Sequence, residues 1–340
     1  MTNIVFSSDD GFVEQLTVAS SSVIYASRYA NAIFTMYVLD CGISDEKWGG
    51  YEALMERLAE RFCVSLKVVR KIIDMRQFNN VSSWTNGSKA TWARILLPQI
   101  LLSESTCIYS DCDMLFIKNP SEMIEELVQS GKAIIGHLNP FGDKSPDAKW
   151  FREKNLPFFA GDYFCAGLVA MNLDLMRQQN VCDACWEFLD KYLDPVSVDQ
   201  TVLNFVCKNS RAILTEGWGL FTHECYREDI EIKAIHFSGG WPWKQAKNAY
   251  DALCIHLSKK AVEVWHSFQS NILGERDFVK PNASFSFRVK AVIVLCLCRM
   301  LSCVGLVPSR LVCLLELVKS YSGSSEQLEA IRDSFAKAAE

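Results

Sequence analysis

The feature that most constrains the fold is an apolar segment that ends in two acidic residues. Residues 106–109 have the composition of a buried strand, and Asp111 and Asp113 follow directly. Carboxylates are costly to bury without a cation, so we expect both at the strand's carboxyl end, where open α/β sheets bind ligands. A divalent cation that also binds phosphate fits this place. The short pattern alone leaves open a solvated turn or a helix N-cap.

Strands and helices alternate before this segment. The apolar patterns predict strands at residues 3–7, 32–38, 64–69 and 106–109, and helices at 13–23, 44–62 and 90–102. Alternation of this kind predicts a mostly parallel sheet with right-handed crossovers. Neither G-x-x-x-x-G-K-[ST] nor G-x-G-x-x-G occurs, so a bound diphosphate would depend on the metal at the acids for neutralisation.

Composition excludes several classes of protein. The chain has 340 residues and 49% hydrophobic content, enough for a folded core. Its net charge of −5, without a basic cluster in the first 280 residues, argues against nucleic acid as a partner. The first residues lack the basic and apolar regions of a signal peptide, so we expect a cytoplasmic protein.

The cysteines are expected to be reduced. Fourteen of them are scattered over apolar positions, where free thiols behave as small hydrophobic groups. Cys182 and Cys185 form one C-x-x-C pair on a predicted helix at residues 181–192, without a second pair at zinc-like spacing. Core packing is therefore the preferred interpretation of this pair, and a structural zinc is the alternative.

Eight ordered motifs resemble the retaining glycosyltransferases of family 8. They are residues 4–10 (IVFSSDD), 38–44 (VLDCGIS), 91–94 (TWAR), 109–113 (YSDCD), 163–167 (YFCAG), 171–172 (MN), 199–200 (DQ) and 236–239 (HFSG). Within that family the resemblance is to bacterial lipooligosaccharide and lipopolysaccharide galactosyl- and glucosyltransferases. It covers roughly residues 3 to 250 and implies an α/β fold of the GT-A type, with a catalytic domain at residues 1–270. Beyond Ser270 the resemblance gives little, and the residue pattern predicts a C-terminal helical extension at 271–340.

The resemblance also implies the ligands. A UDP-hexose would lie at the mouth of the sheet, with Mn²⁺, or Mg²⁺ as the alternative, on its diphosphate. Asp111, Asp113 and His236 would hold the metal, and the imidazole nitrogen favours Mn²⁺. Asp9 would accept a hydrogen bond from uracil, and Phe12 would stack on the base. Further donor contacts are implied for Ser7, Arg94, Cys112, Cys165, Ala166, Gly239 and Lys244.

The implied reaction moves galactose or glucose to a saccharide acceptor with retention of configuration. No acid can be assigned as a nucleophile, so we favour a front-face reaction in which a phosphate oxygen of the leaving UDP takes the acceptor proton. Gln200 would support the developing positive charge, Asp199 would orient hydroxyls, and Arg94 would bind sugar or phosphate. The alternatives are an N-cap with first helical turn for Asp199 and Gln200, and a surface ion pair for Arg94.

Departures from the family pattern keep other functions open. Cys165 stands where relatives usually have Asn, and Trp241 stands where a lysine is expected; Trp241 is also the preferred acceptor-stacking residue. One alternative function is a sugar-nucleotide-binding protein with weak catalysis. The other is a nucleotidyltransferase, although residues 7–10 are acidic where that class has a basic glycine-rich loop.

The segment at residues 285–319 is apolar and basic. Five Lys or Arg residues face one Glu, which gives a local charge of +4, and the apolar run at 291–298 is too short to span a bilayer. We expect it to bind the inner face of the cell membrane and to favour a lipid-linked acceptor, with packing on protein or in an oligomer as the alternative. A last helix, capped by Ser324 with Gln327, is expected to pack back on the protein.

Overall fold

A computed structural model of the chain describes residues 1–83, 88–238, 241–247, 249–274 and 325–338. The chain divides into two compact units. The first, called the sheet unit, comprises Met1–Cys112 and Lys118–Thr215, and the second comprises Asp113–Ile117 and Glu216–Glu340. The boundary predicted at residue 270 stays a prediction.

The helices and strands follow in chain order. Up to residue 130 they are β1 (Thr2–Ser8), α1 (Val13–Ala26), β2 (Ile33–Asp40), α2 (Asp45–Arg61), β3 (Ser65–Ile72), α3 (Leu97–Ile100), β4 (Thr106–Ser110), β5 (Met114–Phe116) and α4 (Glu122–Ser130). Then come β6 (Ile134–Leu138), α5 (Pro146–Glu153), β7 (Phe164–Asn172), α6 (Leu173–Gln178), α7 (Val181–Lys191), α8 (Val198–Val206), β8 (Arg211–Ile213), β9 (Leu220–Phe221), β10 (Ala234–His236), α9 (Ala249–Leu257), α10 (Lys259–Phe268) and α11 (Glu326–Lys337).

The sheet unit is built on seven strands in the order β3-β2-β1-β4-β7-β6-β8. Strands β3, β2, β1 and β4 are parallel neighbours, β7 runs antiparallel to both β4 and β6, and β8 is parallel to β6. The sheet is therefore mostly parallel, as predicted. Because their strands are parallel, β1 and β4 bring the ends that carry Asp9 and Asp111 to the same edge.

The core of the sheet unit explains why the predicted apolar segments became these elements. Strands β1, β4 and β7 supply fully buried apolar side chains, which pack against apolar side chains of α6, α7 and α8. Strand β4 is buried along nearly its whole length, as a strand covered on both faces should be. Cys182 and Cys185 lie buried in α7, and all ten described cysteines are free thiols.

One predicted helix differs in type. Residues 90–102 were expected to form one α-helix, but Ala90–Leu96 is a 3₁₀ helix and only Leu97–Ile100 is α-helical. Pro98 lies in the first turn of α3 and has no N–H, so a continuous α-helix would lack the bond from residue 98 to the Arg94 carbonyl, which instead accepts from the Leu97 amide. The tighter 3₁₀ segment is the part that carries Arg94.

The second unit contains a three-stranded sheet in the order β5-β10-β9. Strand β5 is antiparallel to β10, with Met114 opposite His236. Helix α11 packs in this unit through Phe335, whose ring lies 5.2 Å from Phe268, and through an ion pair of Lys260 with Glu329 at 2.8 Å. The last helix thus packs back on the protein, as expected.

The cap of that helix differs from the prediction. Ser325, and not Ser324, caps α11 by accepting a hydrogen bond from the Leu328 amide, and the Gln327 side chain bonds to the backbone of Ile230 and Ile232. The segment at 285–319 lies outside the described residues. In the part of the chain that the structure describes, no helix combines the length and apolarity needed to cross a membrane.

Candidate active site

The candidate site is built around the turn that follows β4. The Asp111 amide donates to the Gly167 carbonyl at 2.7 Å, and this bond extends the pairing of β4 with β7 by one residue. The Cys112 thiol lies 3.3 Å from the Ser7 carbonyl, which ties the turn to β1. The Tyr109 hydroxyl donates to Asp111 at 3.2 Å. Backbone and side chains together therefore fix the direction of the first acid.

Arg94 neutralises this acid from inside the protein. Its guanidinium is about 2% exposed, lies 4.1 Å from the centre of the Tyr109 ring and donates to Asp111 at 2.5 Å. It also donates to the Ala166 carbonyl and to the Thr91 carbonyl and hydroxyl. Burial lowers the pKa of Arg94, but Asp111 and the nearby Asp199 raise it to a net increase. The alternative of a surface ion pair does not fit this burial.

Asp199 is the second acid beside Arg94. Its Oδ2 lies 2.9 Å from the Arg94 Nε, whose N–H is directed to the Thr91 carbonyl, so this contact is an ion pair and not an aligned hydrogen bond. The Thr91 hydroxyl donates to Asp199 Oδ1 at 2.6 Å. Burial raises the pKa of Asp199, and Arg94 opposes the rise. Asp199 lies in the first turn of α8, but Ser197 is the N-cap residue.

The other acid and the histidine are held by the pairing of β5 with β10. The Phe237 amide donates to the Asp113 carbonyl at 2.8 Å, and His236 Nε2 lies 3.2 Å from Asp113 Oδ1. The Gly residues that follow His236 in the sequence predict a loop, but His236 is the last residue of β10, and its ring stacks on Phe221 with the ring centres 5.1 Å apart. A strand end fixes the imidazole more firmly than a loop would.

The three expected metal ligands lie together. Asp111, Asp113 and His236 each offer one ligand atom, and these atoms all lie within 4.8 Å of one another. Two carboxylates and one imidazole provide the oxygen and nitrogen ligands that suit Mn²⁺, and they leave coordination positions for phosphate oxygens. The donor set therefore fits a divalent cation.

Lys244 lies within the electrostatic influence of Asp113. Its ammonium is 3.6 Å from the centre of the Trp241 ring, burial lowers its pKa, and the charges of Asp251 and Asp113 oppose that decrease. The charge of Asp113, one of the expected metal ligands, therefore reaches Lys244, for which a donor contact was expected. Trp218 is fully buried, which makes it a core residue, while Trp241 is half-buried.

The residues expected to contact the nucleotide lie at the end of β1 or directly after it. Asp9 caps a 3₁₀ helix at Asp10–Phe12 by accepting from the Gly11 amide at 3.0 Å, and it accepts from the Ser88 hydroxyl at 2.9 Å. The Ser7 hydroxyl donates to the Ala90 carbonyl at 2.6 Å and therefore joins β1 to the 3₁₀ segment before Arg94. Phe12 is half-buried at the end of the 3₁₀ turn.

The expected sugar contacts lie at the start of β7. Cys165 and Ala166 are buried there, and the Ala166 amide donates to Gln200 Oε1 at 3.1 Å. The structure thus brings together Arg94, Asp111, Ala166, Asp199 and Gln200 in one set of contacts. Gly239 lies outside the described residues. The roles of all these residues in donor binding stay predictions.

Three residues in these contacts were missed by sequence reasoning. Thr91 and Tyr109 hold the acids beside Arg94, and Asn204 bonds to the backbone of Phe164. Thr91 stands three residues before Arg94 and Asn204 four residues after Gln200, so each lies on the same helical face as a predicted site residue. That spacing was the available signal.

Comparison with known proteins supports the family resemblance. Residues 3–247 match the family model described as glycosyl transferase family 8. The chain is 23% identical over 262 residues to general stress protein A of Bacillus subtilis, covering 71% of this chain and 87% of that protein. It is 22% identical over 263 residues to glycosyltransferase GlyB of Streptococcus pneumoniae, covering 72% of this chain but only 58% of GlyB.

The fold is similar to that of a solved glycosyltransferase. The structure of galactosyltransferase LgtC in complex with donor and acceptor sugar analogues superposes with a TM-score of 0.60 at 20% identity, covering 72% of this chain and 90% of LgtC. This similarity identifies the GT-A fold. Since the family model matches most of the chain, the protein belongs to glycosyltransferase family 8.

Proposed function

We propose that the protein transfers a hexose, galactose or glucose, from a UDP-sugar to a saccharide acceptor with retention of configuration. The observation that carries the proposal is the cluster of ligand atoms from Asp111, Asp113 and His236, all within 4.8 Å of one another. A divalent cation bound there, with Mn²⁺ as the expected ion, would neutralise the diphosphate and stabilise the departing UDP.

Different residues of the chain are proposed to bind the base, the diphosphate and the sugar of the donor. In this proposal Asp9, which follows β1, accepts from the base, and Lys244, whose pKa is influenced by the charge of Asp113, shares the charge of the diphosphate with the metal site. Asp199 Oδ2 is buried and has an ion-pair contact without an aligned hydrogen bond, so it can accept one from a sugar hydroxyl. Arg94 holds Asp111 and Asp199 in these orientations.

We infer a front-face reaction. The bond between the anomeric carbon and UDP breaks, the acceptor oxygen bonds to the same face, and the acceptor proton passes to the departing phosphate oxygen. In this proposal Gln200, whose side-chain oxygen accepts from the Ala166 amide, lies beside this face and supports the positive charge on the sugar. Asp199 is ion-paired with Arg94, which makes it a poor nucleophile.

Slow hydrolysis of UDP-sugars tests the proposal without knowledge of the acceptor. Purified protein is incubated with UDP-galactose, UDP-glucose and UDP-N-acetylglucosamine in Mn²⁺ or EDTA, and released UDP is measured. We expect UDP release from one of the first two, only with metal. UDP binding without release, also when saccharide acceptors are added, would indicate a binding protein. Release that ignores EDTA would contradict the metal assignment.

The acceptor side of the proposal depends on residues 285–319. We propose that this basic, apolar segment binds the inner face of the cell membrane and brings the site to a lipid-linked saccharide of lipopolysaccharide or another surface glycan. Deletion of residues 285–340 would remove not only this segment but also α11, whose Leu328 and Phe335 are buried. Substitution is therefore the better test.

Flotation with anionic liposomes measures that binding. Glutamine at Arg288, Lys290 and Arg299 should release the protein from vesicles, and wild-type binding should weaken with salt. The matched control is glutamine at Lys149, Lys259 and Lys337, which removes the same charge outside the segment. Equal flotation of the two variants, or no wild-type binding at low salt, would contradict the membrane proposal.

A further inference from the structure

The start of β7 differs from the rest of the strand in its neighbours. Pairing with β4 covers Leu168–Asn172, and the last bond on that side joins the Asp111 amide to the Gly167 carbonyl. On the β6 side the register shifts, since Gly136 pairs with Val169 but His137 pairs with Cys165. The segment at residues 164–167, called the β7 entry, therefore continues past the point where β4 turns away.

Side chains take the place of a neighbouring strand along the β7 entry. The Ala166 amide donates to Gln200 Oε1, and the Ala166 carbonyl accepts from Arg94. The Phe164 amide donates to Asn204 Oδ1 at 3.0 Å, and the Phe164 carbonyl accepts from Asn204 Nδ2 at 2.8 Å. Phe164 and Ala166 direct their backbone N–H and C=O groups away from β6. Side chains thus satisfy both groups of each residue.

Asn204 does this with a single side chain. A carboxamide offers one acceptor and two donors in one plane, so it can form the same pair of bonds as a peptide group of a neighbouring strand. Its second donor reaches the Gln200 carbonyl at 3.0 Å within α8, and Arg211 donates to its oxygen at 3.3 Å. Since the Phe164 N–H can only donate, the orientation of the amide is fixed.

We propose that Asn204 is a positioning residue for hexose transfer. By holding Phe164 to α8, it sets the position of Cys165 and Ala166, and it keeps the Gln200 side chain on the Ala166 amide. The inference rests on the proposed function, in which this segment lies against the donor sugar. The uracil and diphosphate contacts arise elsewhere, from Asp9 and the metal ligands, so Asn204 should affect the sugar and not UDP.

The test uses two variants of the full-length protein and one matched control. Asn204→Asp keeps the shape but loses both N–H donors, and Arg211 can neutralise the new charge. Asn204→Ser shortens the side chain without adding charge. The control, Asn172→Ala, removes an asparagine at the opposite end of β7 that caps α6 through the Leu175 amide at 2.9 Å.

Two quantities are measured for each protein: the Kd of UDP in Mn²⁺, by calorimetry, and kcat for hydrolysis of the preferred UDP-hexose. We expect both Asn204 variants to bind UDP within about twofold of wild type and to lose at least about tenfold in kcat, since displacement of a positioning contact by about 1 Å can cost 100-fold. Asn172→Ala should melt at a lower temperature but keep both values.

The outcomes separate the two proposals. Wild-type kcat in a folded Asn204 variant would overturn the positioning role and leave the proposed function intact. A parallel loss of UDP affinity and kcat, shared by Asn172→Ala, would show a merely structural role and also overturn it. If Asn204→Asp does not fold, Asn204→Ser decides by the same criteria. A wild type that neither binds UDP nor hydrolyses UDP-sugars would overturn the proposed function and this inference with it.

Discussion

The two halves of the seven-stranded sheet satisfy their backbone groups in different ways. In the parallel half, strands β3, β2, β1 and β4, each strand bonds to its neighbour in continuous register, over seven residues between β1 and β2 and eight between β2 and β3. In the mixed half, β7, β6 and β8, the register shifts at Gly136 and His137, and side chains replace a neighbouring strand at the β7 entry.

The buried charges differ in the same way. In the parallel half, Arg70 pairs with the buried Asp40 at 2.8 Å, but the Arg70 side chain itself retains 21% exposure and also donates to the Ile43 carbonyl. Where β4 ends and the mixed half begins, the side chain of Arg94 contacts the carboxylates of Asp111 and Asp199. It is about 2% exposed. The comparison indicates that regular backbone pairing supplies stability in one half, while an interruption of that pairing makes room for polar side chains in the other.

Matched arginine substitutions should show the largest difference between the halves. Arg94→Met leaves Asp111 and Asp199 without their cation, and we expect it to cost about 3–5 kcal/mol of unfolding free energy and most activity. Arg70→Met should cost about 1 kcal/mol and leave activity unchanged, because Asp45 is exposed and the buried Asp40 still accepts from the Gly42 and Ile43 amides. Urea unfolding and UDP-hexose hydrolysis measure both. Equal losses in the two variants would break the comparison.

A smaller effect is expected at Asp199. Asp199→Asn keeps the shape and the Thr91 contact but removes the charge opposite Arg94, so we expect kcat to fall roughly tenfold while the Kd of UDP is retained. Asp147→Asn is the matched control, since that carboxylate is buried and, among the described residues, accepts from the hydroxyls of Tyr163, Ser197 and Thr201. If both variants behave alike, the charge of Asp199 has no special role.

The smallest effect is expected in the parallel half, at Tyr37. Its hydroxyl donates to Glu104 at 2.9 Å, and burial with this bond raises its pKa from 10.0 to about 12. Tyr37→Phe should cost about 1 kcal/mol at pH 7 with no change in activity. The raised pKa stabilises the fold fully below pH 10, and that contribution is lost as pH rises through about 12. The deficit of the variant should therefore shrink over this range in urea unfolding, and a constant deficit would contradict the pKa assignment.

The parallel half could be predicted closely from the sequence. Its strands were placed within three residues of their bounds, because local apolar patterns decide elements whose bonds go to adjacent strands. Asp111 and Asp113 were found because paired carboxylates after a buried strand must face solvent or a cation. The 3₁₀ form of Ala90–Leu96 was not foreseen, since the apolar pattern suits both helical types.

The mixed half could not be predicted in the same way. The bond from Arg94 to Ala166 joins residues 72 positions apart, and the pairing of Asn204 with Phe164 depends on where β4 turns away from β7. A sequence shows that Thr91, Tyr109 and Asn204 carry hydrogen-bonding groups, but many side chains in the chain do. The roles of these three depend on contacts with Asp199, Asp111 and Phe164, which are distant in the sequence for Thr91 and Asn204.

The central claim is that the acids after β4 form a metal site for a sugar nucleotide. Electron paramagnetic resonance of free Mn²⁺, titrated in the presence of UDP, measures this directly. The account predicts about one bound Mn²⁺ per wild-type chain, and affinity at least about tenfold weaker in Asp113→Asn, because the cation loses an anionic ligand.

The matched control is Asp74→Asn, which removes an acid that follows β3 in the parallel half and pairs with Arg76. That variant should bind Mn²⁺ like the wild type. Equal Mn²⁺ affinity in Asp113→Asn and Asp74→Asn, with both proteins folded, would contradict the metal site and the mechanism that depends on it.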